Sequence, residues 1–555
     1  MLRTRAVVPA VLLALTLGTM PAVAEPAVGT TDPGALRVDA AFQDQRLDWQ
    51  PCFPAAEPGL PPGAERLECS VMKAPLDWKR QRRGTVDIAI SRLRPVTGEP
   101  QNLLLTNPGG PGEEGVVVPL LFLDPAHAQV ADVSEIVGVD VRGTGRSTNV
   151  TCAGEVIGRE RDVRDRSRAN VNAMLDDAEG MARACQSASA PVGDYVNTWQ
   201  TVRDFDLLRA LLGHERTNWF GYSAGTWLGA HYTRAFPSRV GRFVFDSSVR
   251  FTGDWQRIYA LQPMGFERRF RQDFLPWAAR YDGVYGLGAT APAVRAGYER
   301  VRARLAREPL DIGGGTIVTA TGLDSMIAGS LYSKWTFPRL GELLAGLTAA
   351  TGPAPARTAV GSGLAARVAA VRDAARSPGG RLGAPDAIDA TFYTVGCNDT
   401  RWRGDRRTLA ASSAAQGRLF PLIGWRSIAE PCVFWDRPAV ALPRPTGRGV
   451  PPVLMVHSVH DPATPLEGAV SAGAVFAGSR LLKVAGEGDH MLYGNGNGCV
   501  DRAVDAYLAR GELPRPGAGC AGVPLPDPTA PAGAVTEHSA PRLAELAELA
   551  GRLPD

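Results

Sequence analysis

Gly221-Tyr222-Ser223-Ala224-Gly225 has the form G-x-S-x-G. An apolar, aromatic stretch, Thr217-Asn218-Trp219-Phe220, precedes it, and a run of helical character, Thr226 to Phe236, follows and stops at Pro237. Strand, sharp turn and helix in that order leave few alternatives. The turn crowds the backbone around its central residue, so small neighbours are required, and the glycines supply them. It lifts the serine hydroxyl clear of the sheet edge and aims a helix N-terminus at the reacting atom. Ser223 is therefore the candidate nucleophile. The plain alternative is a serine N-cap in a glycine-rich connection.

Other short apolar runs set the frame around that turn. Thr85 to Leu93 alternates Val86, Ile88 and Ile90 with other residues and reads as an early antiparallel strand. Leu103-Leu104-Leu105 runs into Asn107-Pro108-Gly109-Gly110-Pro111-Gly112, and Ile136-Val137-Gly138-Val139 runs into Asp140-Val141-Arg142-Gly143-Thr144-Gly145. Phe243-Val244-Phe245 ends at Asp246, Val453 to Val456 at His457, and Leu481 to Val484 just before Gly486. Such runs, each followed by a turn, indicate an α/β fold with a mostly parallel sheet buried on both faces. Ligands bind at the carboxyl ends of its strands. Between 255 and 430 helical periodicity takes over, which predicts a helical lid inserted into the sheet domain. The expected division is a sheet core over 25–254 and 431–520, the lid over 255–430, and a tail over 521–555. That tail is rich in proline and alanine, with an amphipathic helix at Arg542 to Leu553. Residues 25–50 read as a polar, extended arm.

A formal net charge of +3 over 555 residues is too small for a nucleic-acid or membrane-surface protein. Arg3 and Arg5, the apolar stretch Val7 to Leu17 and Ala22-Val23-Ala24 form a secretory leader over 1–24, with cleavage near Ala24. No later segment is apolar for long enough to span a bilayer. The eight cysteines suit an oxidising compartment. They fall into four pairs of sequence neighbours, predicting bridges 52–69, 152–185, 397–432 and 499–520. No C-x-x-C occurs, so a zinc site is a poor alternative.

A serine hydroxyl needs a base. On this kind of sheet the order along the chain is Ser, then Asp or Glu, then His. Asp461 follows a strand end in His457-Ser458-Val459-His460-Asp461-Pro462, and only His490 and His538 lie beyond it. His538 sits in the polar tail. His490 follows the next strand, in Gly486-Glu487-Gly488-Asp489-His490, and is assigned as base, with Asp461 as the carboxylate that fixes its tautomer. Asp489 and Asp246 stand as reserve carboxylates. The competing readings are Asp461 as a helix N-cap and His457, His460 and Asp461 as metal ligands. Backbone N–H groups of Ala224 and of the Gly109-Gly110 turn are the expected oxyanion donors.

Taken together, Asn107 to Gly112, Asp140 to Ser147, Gly221 to Gly225, His457 to Pro465 and Gly488-Asp489-His490 resemble the secreted tripeptidyl aminopeptidases of actinomycetes. These group with the prolyl aminopeptidases in the α/β-hydrolase superfamily. The resemblance covers most of residues 45–520. It implies removal of short peptides, typically tripeptides, from free N-termini, and the triad roles above, with Gly110 and Ala224 forming the oxyanion hole. It implies no metal and no organic cofactor. The expected partner is a peptide or protein N-terminus, and the expected state is a monomer. The resemblance is specific for the family and weakly specific for substrate, since relatives of this kind include esterases. One departure stands out: Glu113 and Glu114 follow the Gly-Gly-Pro-Gly turn where the family has small residues. An aminopeptidase must recognise an ammonium, which a carboxylate suits. Glu113 and Glu114 are candidates, with capping of the following helix the favoured alternative. Asp399, beside Cys397, is a third, its place next to an expected disulfide being equally compatible with a structural role. The rival functions are a carboxylesterase or lipase with the same triad, and a silent hydrolase-fold binding protein.

Overall fold

In the computed structural model the apolar runs become strands whose alternate residues enter opposite cores. The structure describes residues 32–53, 60–154, 161–313, 315–352, 363–375, 384–437, 439–530 and 549. The leader expected over 1–24 lies outside them, as does all but one residue of the helix expected over 542–553. Leu103 and Leu105 point into one core and Leu104 into the other. Phe243 and Phe245 oppose Val244 in the same way, and Val453 and Met455 oppose Leu454 and Val456. A strand covered on both faces has no polar side to display, so its sequence is continuous apolar rather than alternating.

The strands are β1 (Gln50–Pro51), β2 (Glu68–Pro75), β3 (Thr85–Leu93), β4 (Asn102–Asn107), β5 (Ser134–Val139), β6 (Thr217–Tyr222), β7 (Val240–Asp246), β8 (Leu310–Asp311), β9 (Ile317–Val318), β10 (Val453–Ser458), β11 (Ser479–Ala485) and β12 (Gly519–Ala521). Ten form one sheet in the order β1-β2-β3-β5-β4-β6-β7-β10-β11-β12, and β8 pairs with β9 alone. From β5 to β12 all neighbours are parallel; the three pairings from β1 to β5 are antiparallel. Tyr222 of β6 stands opposite Asp246 of β7, which stands opposite Val456 of β10. The carboxyl ends of these three strands therefore finish side by side. This is an α/β-hydrolase fold.

Between β7 and β10 the chain is helical, from Trp255–Arg269 to Arg406–Leu419, interrupted by the β8–β9 ribbon. These helices bury a core of their own, including Phe270, Leu323, Leu340 and Leu344. Disulfides join Cys52 to Cys69, Cys152 to Cys185, Cys397 to Cys432 and Cys499 to Cys520. The described part of the expected N-terminal arm, residues 32–50, is not free. Gly34 N–H donates to Ala235 O at 2.7 Å, Asp32 accepts from Ser238 N and Oγ, and Phe42 is buried. A buried carboxylate and a buried ring outweigh the polarity of the segment around them.

Arg142, from the turn after β5, fastens the core. Its Nε and Nη2 donate to Asp204 at 2.7 and 2.6 Å, and its remaining N–H groups reach Leu76 O, Pro75 O and Tyr195 O. Trp78 Nε1 donates to the same carboxylate at 2.8 Å. Removing one partner of such a pair strands the other charge without water. The substitution Arg142→Met is expected to lower stability by about 3–5 kcal/mol, read from the denaturant midpoint. An unchanged midpoint would overturn this account.

Candidate active site

Ser223 occupies the turn between β6 and the helix Ala224–Ala235 with φ 51° and ψ −121°. A non-glycine residue held there stores about 1–3 kcal/mol of strain. The surroundings enforce it. Ser223 N–H donates to Asp246 O at 2.9 Å, and Ser223 O accepts from Thr226 N and Thr226 Oγ1 at 3.0 and 2.6 Å. Helix and preceding loop meet with no space for side chains: a Cβ on Gly225 would lie 2.6 Å from Asn107 O.

The loop after β4 lies directly on this turn. Gly109 has φ 106°, and a Cβ there would stand 2.7 Å from Tyr222 O and 2.9 Å from Ser223 Cβ. Its N–H is taken by Asn107 Oδ1 at 3.1 Å. Among the described residues, neither the Gly110 N–H nor the Ala224 N–H donates to a protein acceptor. Asp140, at the end of β5, holds the loop from behind by accepting from Gly115 N and Val116 N at 2.7 and 3.1 Å. Burial pushes the Asp140 carboxyl up, against the pull of those N–H groups.

His490 follows β11 and is buried. Its Nδ1 lies 3.1 and 3.0 Å from the two Asp461 oxygens. An ionised carboxylate only accepts, so the Nδ1–H faces Asp461 and Nε2 is left for other chemistry. Asp461 is fully buried, and burial works to raise its carboxyl. The nearby His490, with Ala463 N, Thr464 N and Thr464 Oγ1 at 3.0, 2.8 and 3.0 Å, prevails and holds it below the usual range. Tyr332, from the helical segment, stands edge-on to the imidazole with ring centroids 5.4 Å apart, and its carbonyl accepts the His490 N–H at 2.9 Å. Among the described residues no hydrogen bond joins Ser223 Oγ to the His490 ring.

The residues after His490 return to the strand beside Ser223. Leu492 N and Tyr493 N donate to Asp246 Oδ2 at 3.0 and 2.8 Å, and Met491 N donates to Ser247 Oγ at 2.8 Å. Asp246, a reserve carboxylate in the sequence, thus holds backbone rather than the imidazole, and burial pushes it up to about 6. Asp489, the other reserve, pairs with Arg269 and Lys334. His457 is enclosed, with Nε2 2.7 Å from Thr464 O and Nδ1 accepting from Ser248 N at 3.1 Å. His460 faces Asp273 at 2.9 Å. Among the described residues, Cys397, Glu430 and Cys432 form the one group of three close enough to hold a metal, but the two cysteines are bonded to each other.

The amine candidates separate. Asp399 is 1% exposed and accepts from Thr198 N, Thr198 Oγ1, Trp227 Nε1 and Trp255 Nε1 at 2.7, 2.6, 3.1 and 3.3 Å. Four protein donors hold it, three of them on Oδ2 and one on Oδ1, which favours a structural node over an ammonium site. Glu114 is buried and Glu113 half-buried. Neither caps a helix as favoured from the sequence: a 3-10 turn, Val118–Leu123, starts after Val117 with no side-chain cap. Glu113 lies at the oxyanion loop, where a Cβ on Gly110 would touch its Cγ at 3.2 Å. Tyr332 is 39% exposed overall, yet loss of water around its hydroxyl, with the charges of Asp461 and Glu113, raises that group to about 12. Half-buried Glu430, absent from the sequence reading, takes one hydrogen bond, from Cys432 N at 3.3 Å, and burial lifts it to about 7. Tyr332 has no local motif; a segment remote in sequence brings it to the imidazole.

Residues 421–520 match the family described as TAP-like protein, and residues 102–280 match the alpha/beta hydrolase fold family. The tripeptidyl aminopeptidase of Streptomyces lividans is 31% identical over 497 residues, covering 87% of this chain and 88% of that protein. The chain belongs to the tripeptidyl aminopeptidase family. Serine protease Hip1 of Mycobacterium tuberculosis is 26% identical over 521 residues, covering 88% of this chain and 93% of that protein. Carboxylesterase B of the same species is 27% identical over 527 residues, covering 91% and 96%.

Asp246 gives a pH test of this geometry. Its folded value, about 6, lies above the roughly 3.9 of an unfolded chain. Its contribution to stability is therefore fully present below about pH 4 and is lost as pH rises through about 6. Relative to Asp246→Asn, the unsubstituted protein is expected to lose stability across that window. Urea unfolding of both at several pH values reads the difference; a gap that stays constant contradicts the assignment.

Proposed function

We propose that the protein is a secreted serine peptidase that removes short peptides, tripeptides in particular, from free N-termini. The observation that carries this reading is the His490–Asp461 pair at the carboxyl edge of the sheet, beside a serine held in a strained turn, with both loops anchored on Asp246. Family membership supports the same chemistry. The four disulfides and the leader-like start support an extracellular destination.

In this reading Ser223 Oγ attacks the scissile carbonyl carbon while its proton passes to His490 Nε2. Asp461 stabilises the imidazolium and keeps its Nδ1–H in place. The unspent N–H groups of Gly110 and Ala224 take the oxyanion. Collapse of the intermediate breaks the C–N bond, and the leaving amine departs with the proton from Nε2. Water then repeats the sequence on the acyl-enzyme, returning Ser223 to its hydroxyl. The serine–imidazole hydrogen bond forms as substrate arrives, since such bonds are often long or misaligned in free enzymes. Helices over 255–430 act as the lid that walls the site, with Tyr332 against the base.

Three extended residues span at most about 10 Å, so a tripeptide's amine stays near the acyl site. Of the three carboxylates named from the sequence, Glu113 is the one beside the oxyanion loop, and we assign it to the ammonium. A carboxylesterase is the second reading, favoured by the similarity to carboxylesterase B. Its acyl chemistry is the same; amine recognition separates the two.

The Ser223→Ala variant is expected to fold, to lose turnover and to lose labelling by a fluorophosphonate probe. Peptidase activity surviving in that variant would sink the triad. A tripeptide amide with a free N-terminus should be cleaved and its N-acetylated counterpart spared; equal cleavage, or a preference for short acyl esters, favours the esterase. Replacing Glu113 by Gln should raise KM for the free peptide and leave ester hydrolysis unchanged. An unaltered KM would remove Glu113 from the amine site.

A further inference from the structure

Four charged side chains are buried where the helical segment meets the loop carrying His490. Lys334 and Arg269 come from the helical segment, Glu487 and Asp489 from the loop after β11, and none is more than 2% exposed. Lys334 Nζ lies 2.6 Å from Glu487 Oε2 and 3.2 Å from Asp489 Oδ2. Arg269 Nη2 lies 2.5 Å from Asp489 Oδ1, and its Nη1 is 2.5 Å from Asp273. Gly488 leaves the space: a Cβ there would fall 2.0 Å from Arg269 Nη1.

The cluster grips the residue next to the imidazole. Asp489 N donates to Glu487 Oε1 at 3.1 Å, Asp489 O accepts from Ser458 Oγ at 2.8 Å, and Asp489 Oδ1 accepts from Lys334 N at 2.7 Å. The next N–H, of His490 itself, donates to Tyr332 O. Arg269 Nε also reaches Leu331 O at 3.4 Å. One side of the His490 backbone is thus fixed by β10 and the other by residues 331–334 of the helical segment. Burying these ions costs several kcal/mol each unless they are paired. An apolar contact would join the two segments without that cost, but it would not define direction. Ion pairs with hydrogen bonds do, and direction is what a base requires.

We infer that Lys334, with Arg269, is a positioning residue for His490: it aims the imidazole at Ser223 through Asp489 and touches no substrate itself. The inference rests on the reading of His490 as the base. It also makes the segment carrying Tyr332 a fixed wall of the site, since lifting it would part Lys334 from both carboxylates.

The test compares kcat and KM per folded molecule, on a tripeptide p-nitroanilide with a free N-terminus, for Lys334→Met, Lys334→Arg, the double variant Lys334→Met with Glu487→Gln, and His490→Ala. Lys334→Met is expected to lower kcat at least about tenfold, because a small misplacement of a reacting group is costly. KM should change less than about threefold, as ground-state binding is untouched. Lys334→Arg should recover part of kcat. The double variant removes the stranded charge, so it should regain stability and still lack kcat; it decides by the same readouts if the single variant does not fold. A folded Lys334→Met, or failing that the double variant, with kcat within about twofold of the unsubstituted protein overturns the inference and leaves only a structural role. Full activity in His490→Ala overturns the reading beneath it instead, so the two failures are distinguishable.

Discussion

Asp246 binds two loops that the sequence keeps far apart. Its carbonyl takes the N–H of Ser223, and its carboxylate takes the N–H groups of Leu492 and Tyr493. One residue at the end of β7 therefore references both the strained serine turn and the imidazole loop to a common point. Because it lies fully buried beneath the carboxyl edge, its donors have no water to turn to. Losing any one of them would leave a polar group unmet in a region where that costs about 1–3 kcal/mol. The strain at Ser223 persists for the same reason: the bonds on either side of it have no alternative arrangement.

What could be read from the sequence was what short-range physics dictates. A turn that needs glycine on both sides of a serine announces itself in five residues, and so does the loop from Asn107 to Gly112, where Gly109 must touch Tyr222 O. The parallel sheet was readable because strands covered on both faces carry unbroken apolar runs. Asp461 and His490 were found by their order after strand ends, and the structure brings them within 3.0 Å. Strand β2 escaped notice because Val71 and Lys73 mark its exposed face while Glu68 and Ser70 interrupt the apolar pattern on the buried one, and residues 32–50 because two buried contacts do not alter a polar composition. Glu113 and Glu114 read as caps on chemistry alone, yet the short 3-10 turn that follows, Val118–Leu123, starts after Val117 with no side-chain cap. Asp399 read equally as an amine site or as a structural carboxylate beside a disulfide, because nothing local reveals the indoles of Trp227 and Trp255 closing over it.

The helical segment was readable as a segment and opaque as a surface. Its helices follow from periodicity, but which of their polar residues reach the sheet depends on how they pack. Tyr332 and Lys334 sit between two helices of ordinary appearance, and Arg269 closes a helix in which its neighbour Arg268 faces Glu467 at the surface. Adjacent arginines of identical chemistry thus end in opposite environments, one buried against Asp489 and one on a half-exposed pair. No sequence pattern distinguishes them; the rotation of one helix does.

This division has a consequence for how the site can vary. In the proposed mechanism the acyl chemistry uses groups fixed by the sheet: the serine turn, the glycine loop and Asp461. In the same proposal recognition of the substrate amine falls to Glu113, while Tyr332 stands against the imidazole. Helices that only covered the sheet could drift freely as specificity changed. Here residues 331–334 also hold the backbone of His490, so that part is bound to the same geometry as the sheet while the remaining helices are not. On that proposal, change in substrate preference is channelled away from the Tyr332 wall and toward the helices from Ala387 onward. There Thr391 packs on the glycine loop after β4, but no ion pair among the described residues connects Ala387–Asp399 to the loop that carries His490.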